Sequence, residues 1–180
     1  SSDGLHFETL PQPVFYPDND DQKQFEWEGG CEDPRIVEDE NGTYYMTYTA
    51  YNGDKARLFV ATSTDLTNWT KHGSIFNKTE GGKFVAIWSK AGSIVAKQVG
   101  DKLIAAKING KYWMYFGESN IYIATSDNLI DWTPMPETDE SKKQYDEMRG
   151  HEAFKIIFAP REGKFDSELV EPGPPAILTD

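Results

Sequence analysis

Three acidic residues stand where the backbone could hold a carboxylate still enough for proton chemistry. Asp33 lies in Gly29-Gly30-Cys31-Glu32-Asp33-Pro34-Arg35-Ile36-Val37, between a glycine pair and an apolar, strand-like run. Pro34 is expected to hold Asp33 extended, and alternation along a strand then puts Arg35 on the same face as Asp33. Glu118 ends the aromatic run Tyr115-Phe116-Gly117-Glu118-Ser119-Asn120, and Glu171 precedes the stiff stretch Pro172-Gly173-Pro174-Pro175. Each also reads plainly as a charged turn, since Asp-Pro and Pro-Gly pairs are common turn formers. Taken together, rigid carboxylates at strand ends suit hydrolysis of a glycosidic bond. That reaction needs one carboxylic acid to protonate the leaving oxygen and one carboxylate to activate water.

Other chemistries find less support. His6, His72 and His151 are scattered and form no His-x-x-x-His pair, and no calcium-type carboxylate loop appears, so no metal is expected. There is no G-x-S-x-G, no phosphate-binding loop and no dinucleotide fingerprint, so no cofactor is expected. A net charge of -12 disfavours nucleic acid, whose phosphates call for Lys and Arg. Cys31 is the only cysteine, which excludes an intrachain disulfide and leaves the compartment open. No run approaches the ~20 apolar residues that span a bilayer. The opening Ser1 to Leu10 lacks the features of a signal peptide, so periplasmic or extracellular placement would need an upstream leader.

The elements that must position these acids are short strands. Ala61 to Thr70 (ATSTDLTNWT) recurs as Ala124 to Thr133 (ATSDNLIDWT), with six identities in ten at an offset of 63 residues. Each copy follows a second echo, Asn41-Gly42-Thr43-Tyr44-Tyr45-Met46 against Asn109-Gly110-Lys111-Tyr112-Trp113-Met114. The repeating unit is therefore a supersecondary block. Asn109-Gly110 predicts a two-residue hairpin between Lys107-Ile108 and Lys111 to Phe116. Leu58 to Ala61 and Ile121 to Ala124 read as strands. Residues 137–150 read as a polar insertion between blade strands, helical or mobile. Recurring blocks of about four strands with aromatic punctuation point to an all-β chain built as a β-propeller, with a β-sandwich as the alternative. A 63-residue offset allows about three blades, fewer than the roughly four to eight that close a ring. The chain is thus expected to be part of a single catalytic domain, poorly stable or inactive by itself.

Linked motifs sharpen this reading. GCEDPRI, GTYYMTYTAYNG, ARLFVATSTDLTNW, KINGKYWMYFGE, IYIATSDNLIDW and VEPGPPAIL, from about residue 27 onward, resemble glycoside hydrolase family 130. The resemblance implies a five-bladed β-propeller of roughly twice this length, acting on β-mannosides with inversion, by phosphorolysis or hydrolysis. It implies that Asp33 is the proton donor, which in the phosphorylases acts through a sugar hydroxyl, with Glu32 and Arg35 nearby. Phosphorylases of the family carry a His-Arg-Pro-like segment where this chain has Gly117-Glu118-Ser119, and Gly-Ala-Gly-Pro-Pro where it has Glu171-Pro172-Gly173-Pro174-Pro175. Both departures add negative charge where a phosphate dianion would bind, and both supply a possible base for water.

The expected protein is an inverting, exo-acting β-mannosidase for β-1,2-linked manno-oligosaccharides. Asp33 is the expected acid and Glu118 or Glu171 the base, with Glu32, Arg35, Arg57, Trp88, Ser89 and Lys90 around the sugar. A phosphorylase of the same family and a carbohydrate-binding propeller without catalysis are the rival readings.

Overall fold

A computed structural model describes residues 1–143 and 154–179. After an extended N-terminal arm and one helical turn, α1 (Lys23–Glu26), the described residues form twelve short strands arranged in two sheets. The first sheet begins as an antiparallel meander of β1 (Gly30–Glu38), β2 (Tyr44–Tyr51), β3 (Ala56–Ser63) and β4 (Thr70–Ser74). The hairpin of β6 (Ala96–Val99) and β7 (Lys102–Ala105) extends it through a parallel pairing of Glu38 with Ile104. The second sheet runs in the order β11 (Trp132–Pro134), β10 (Ile121–Ser126), β9 (Lys111–Phe116), β5 (Ser93–Ile94). Within it β8 (Lys107–Ile108) joins β9 and β12 (Ile156–Phe158) joins β10. The fold is mostly β, as expected, but its described residues make two sheets rather than a closed ring.

Alternation along the strands explains why both faces of the first sheet are buried. Leu58 and Val60 face the second sheet, in a cluster with Phe76, Met114, Phe116 and Trp132. Phe59 and Ala61 turn the other way, joining Met46, Tyr48 and Ala50 under Phe15 and Phe25 of the N-terminal arm. The two sheets are also stitched through backbone, Trp132 N–H donating to Ile75 O at 2.8 Å.

The sequence repeat is a repeat of structure. Ser63 Oγ accepts the Leu66 N–H and Ser126 Oγ the Leu129 N–H, both at 2.9 Å. Leu66 (φ 63°) and Leu129 (φ 65°) both take the left-handed conformation. The indoles of Trp69 and Trp132 each donate to the leucine carbonyl three residues back, at 3.1 Å. The Asn109-Gly110 turn has positive φ at both residues, 52° and 81°, as the predicted hairpin requires. Asn41-Gly42 instead sits in a longer loop, in which Asp39 Oδ1 accepts the N–H groups of Asn41 and Thr43. Of the polar stretch at 137–150, residues 140–142 form a single 3-10 turn. Pro136 bridges Phe154, so the chain leaves the second sheet and returns to it at one place. Residues 144–150 of that stretch lie outside the described residues.

Candidate active site

One end of the two sheets collects the start of β1, the β2–β3 and β9–β10 connections, the loop before β5, and the C-terminal segment 171–175. Lys90 stands among them. Its Nζ lies 3.2 Å from Asp33 Oδ2, 3.4 Å from Glu171 Oε1 and 3.6 Å from Glu118 Oε2. An ammonium has three N–H donors, and here it faces three carboxylates. The structure therefore brings together all three acids singled out from the sequence, around a lysine expected only to touch sugar. Burial works to lower the Lys90 ammonium, but the Asp33 hydrogen bond and the charges of Glu171 and Glu118 outweigh it and raise it above the ordinary lysine value.

Each acid is set by its own local device. Asp33 departs from expectation, with φ at 51° in the left-handed region that Asp tolerates, not extended. The reason is a β-bulge. Glu32 pairs with Thr49 and Arg35 with Thr47, so Asp33 and Pro34 together face one partner residue and simple alternation fails across them. Glu118 lies in the tight β9–β10 connection. There Gly117 (φ 117°) is needed because a Cβ would collide with the Asn120 carbonyl and the Tyr122 ring. Glu171 belongs to a segment outside any strand. That segment is pinned by Arg35 donating to Pro172 O (2.8 Å) and Gly173 O (2.7 Å), and by Ser93 Oγ donating to Pro174 O (2.8 Å).

The Lys90 loop is equally anchored. Ser89 N–H donates to Ala56 O, Ser89 Oγ accepts the Leu58 N–H, Lys90 O accepts the Gly117 N–H, and Gly92 O accepts the Thr47 hydroxyl. Ser89 is buried, and its hydroxyl serves β3. Trp88 packs edge-on to Tyr51 with ring centroids 6.4 Å apart, forming an aromatic wall at the same end. Arg57 is half-buried, with its guanidinium over Phe25 and one N–H on Lys55 O, away from the carboxylates. Glu32 is exposed and lines an apolar groove with Pro13, Phe15, Cys31, Pro34 and Trp69 on the other side of β1. In that region burial, then the Glu26 carboxylate, push the Cys31 thiol up to about 12, so it packs rather than reacts.

Because all three acids contact one ammonium, the contacting oxygens of Asp33 and Glu118 can be no farther apart than their contacts of 3.2 and 3.6 Å laid end to end. That ceiling reaches the lower part of the roughly 6.5–9.5 Å spacing of inverting glycosidases. Ser93 and Thr47, which fasten the loops, were not singled out from the sequence. Their partners are backbone carbonyls far along the chain, for which no local signal exists.

The family model of glycoside hydrolase family 130, described as beta-1,4-mannooligosaccharide phosphorylase, matches residues 1–179. This chain belongs to that family. It is 33% identical over 154 residues to the 1,2-beta-oligomannan phosphorylase of Thermoanaerobacter sp. (strain X514), covering 79% of this chain and 44% of the relative. A glycosyl hydrolase structure from Bacteroides ovatus superposes with a TM-score of 0.89 at 50% identity, over 99% of this chain and 47% of its own. A second structure, with the same TM-score and identity, covers 99% of this chain and 46% of its own. It was described with the finding that this family of mannoside phosphorylases contains glycoside hydrolases that target beta-1,2 mannosidic linkages in Candida mannan. The chain spans less than half the length of each of these relatives.

Proposed function

We propose that the protein is an inverting, exo-acting glycoside hydrolase that cleaves β-mannosides, with β-1,2-linked manno-oligosaccharides as substrate, on a five-bladed β-propeller of which this chain forms about three blades. The observation that carries the reading is the convergence of Asp33, Glu118 and Glu171 on Lys90. Asp33, as the carboxylic acid, gives its proton to the glycosidic oxygen as the C1–O bond breaks. Glu118 or Glu171 takes a proton from the water whose oxygen bonds to C1 from the opposite face. The products are mannose of inverted anomeric configuration and a mannoside one unit shorter.

The choice of water over phosphate rests on charge. Lys90 already faces three carboxylates, and the resemblance to the family implies that two of those acids, Glu118 and Glu171, stand where its phosphorylases hold phosphate. A dianion placed among them meets net repulsion in a partly desolvated site. Phosphorolysis is the second reading, favoured by the name of the Thermoanaerobacter relative. Incubating the full-length protein with β-1,2-mannobiose, with and without inorganic phosphate, separates the two. Phosphate-independent release of mannose, seen first as the α-anomer by NMR, is expected. Mannose 1-phosphate as product would overturn hydrolysis, and unchanged turnover by Asp33→Asn would overturn the assignment of the acid.

A further inference from the structure

Arg35 is expected from the sequence beside the sugar, yet three of its five N–H donors are committed to backbone. Nη1 donates to Asp33 O (3.1 Å), Nη2 to Pro172 O (2.8 Å) and Nε to Gly173 O (2.7 Å). One guanidinium thus joins the bulge that carries the acid to the segment that carries Glu171, 137 and 138 residues away in sequence from the carbonyls it holds. Resting on the hydrolase reading above, we infer that Arg35 is the positioning residue that sets the distance between Asp33 and Glu171.

Lys90 meets the side-chain ends of Asp33 and Glu171, whereas Arg35 holds the backbone that carries them. Asp33 and Pro34 have no ladder partners of their own, and the Asp33 carbonyl is taken by Arg35. Pro172 is buried with a fixed φ, so wherever its carbonyl is anchored, Glu171 one residue earlier follows. Ser93 holds Pro174 and the Ala96 N–H holds Ala176, but both contacts lie farther from Glu171 than the Arg35 fork. Water can be activated only if acid and base flank a gap of the right width, and a misplacement of ~1 Å costs on the order of 100-fold in rate. A planar fork can bridge two adjacent carbonyls while a third donor reaches back to Asp33. A lysine ammonium is a point donor at the end of a flexible stem and cannot reproduce that arrangement.

The test uses the full-length protein and β-1,2-mannobiose, with Asp33→Asn as reference, and compares Arg35→Lys and Arg35→Ala with wild type for kcat, KM and melting curve. The expected result is a fall in kcat of about 100-fold in Arg35→Ala, with KM within about threefold and a smaller fall in Arg35→Lys. Millimolar guanidinium restores part of the Arg35→Ala rate. A purely structural role would show as a lower melting temperature that guanidinium does not reverse, with kcat per folded molecule unchanged, and would overturn the inference. If Arg35→Ala does not fold, Arg35→Lys decides alone: reduced kcat at unchanged KM supports positioning, and wild-type kcat overturns it. Wild-type kcat in the Arg35 variants beside a dead Asp33→Asn refutes the positioning role and leaves the hydrolase reading standing. An active Asp33→Asn removes both.

Discussion

Among the described residues Lys71 and Lys90 each sit among acids, and the two clusters are built for different ends. Lys71 lies 2.5 Å from Glu26 Oε2 and 3.1 Å from Asp20 Oδ2, and it also donates to Tyr16 O at 2.9 Å. Glu26 is fully buried and its other oxygen accepts the Tyr48 hydroxyl at 2.8 Å. Every polar atom at the centre of that cluster has a protein partner, and the cluster's work is to fasten the N-terminal arm over β2 and β4. Around Lys90 one ammonium faces three acids whose side chains are 20–36% exposed, so a sugar or a water can reach the cluster. A buried carboxylate whose partners are all protein groups holds structure. Carboxylates that stay part-exposed around a shared ammonium can move protons.

The largest expected effect follows from that contrast. Asp33→Asn should lower turnover of β-1,2-mannobiose by about 10²–10⁴-fold, the range in which general acids and bases contribute, with little change in the urea midpoint. Lys71→Met should do the reverse. It leaves the buried Glu26 carboxylate without its cation and should cost about 3–5 kcal/mol in urea unfolding, with kcat per folded molecule unchanged. Equal loss of activity in both variants would remove the distinction between the clusters.

Lys90→Met lies between these extremes. Its partners are partly solvated, so the stability change should stay within about 1 kcal/mol. Its effect should appear in the pH–rate profile. The substitution takes away a positive charge that lies within 3.6 Å of three carboxylates, and a nearby opposite charge favours the ionised form of an acid. The acidic limb should therefore move to higher pH. An unmoved limb would show that Lys90 serves geometry alone.

What was legible from sequence follows the range of each interaction. The repeated turn is written in residues three apart, Ser63 with Leu66 and Ser126 with Leu129, and so could be read directly. The three acids could be read because glycine and proline mark the rigid loops that carry them. Lys90 as their common partner could not, since Glu118 and Glu171 reach it from other parts of the chain. The Asp33 conformation was misread because a bulge adds a residue to one strand, and alternation carries no sign of it. Glu26 gave no signal either. In Lys23-Gln24-Phe25-Glu26 it reads as a solvated helix residue, and only the arm folding over Tyr48 buries it.

The smallest effect sharpens the comparison from the dry side, through alkaline stability. Burial works to lower the Lys71 ammonium, but Glu26 and Asp20 together raise it above the ordinary lysine value. Its contribution is therefore complete below the unfolded lysine pKa of ~10.4 and is lost as pH rises through the higher folded value. Burial, then the Glu26 carboxylate, push the Tyr48 phenol up as well. Above ~10 the unfolded chain releases the Tyr48 proton while the folded chain keeps it, so stability falls with pH there too. Both groups act with the same sign and in the same window. Melting temperature should decline from about pH 10 upward, and Tyr48→Phe, measured against wild type across that range, should show a shallower decline. Parallel curves for the two proteins would mean that burial does not hold the Tyr48 proton in the folded state, leaving Lys71 alone to account for the decline.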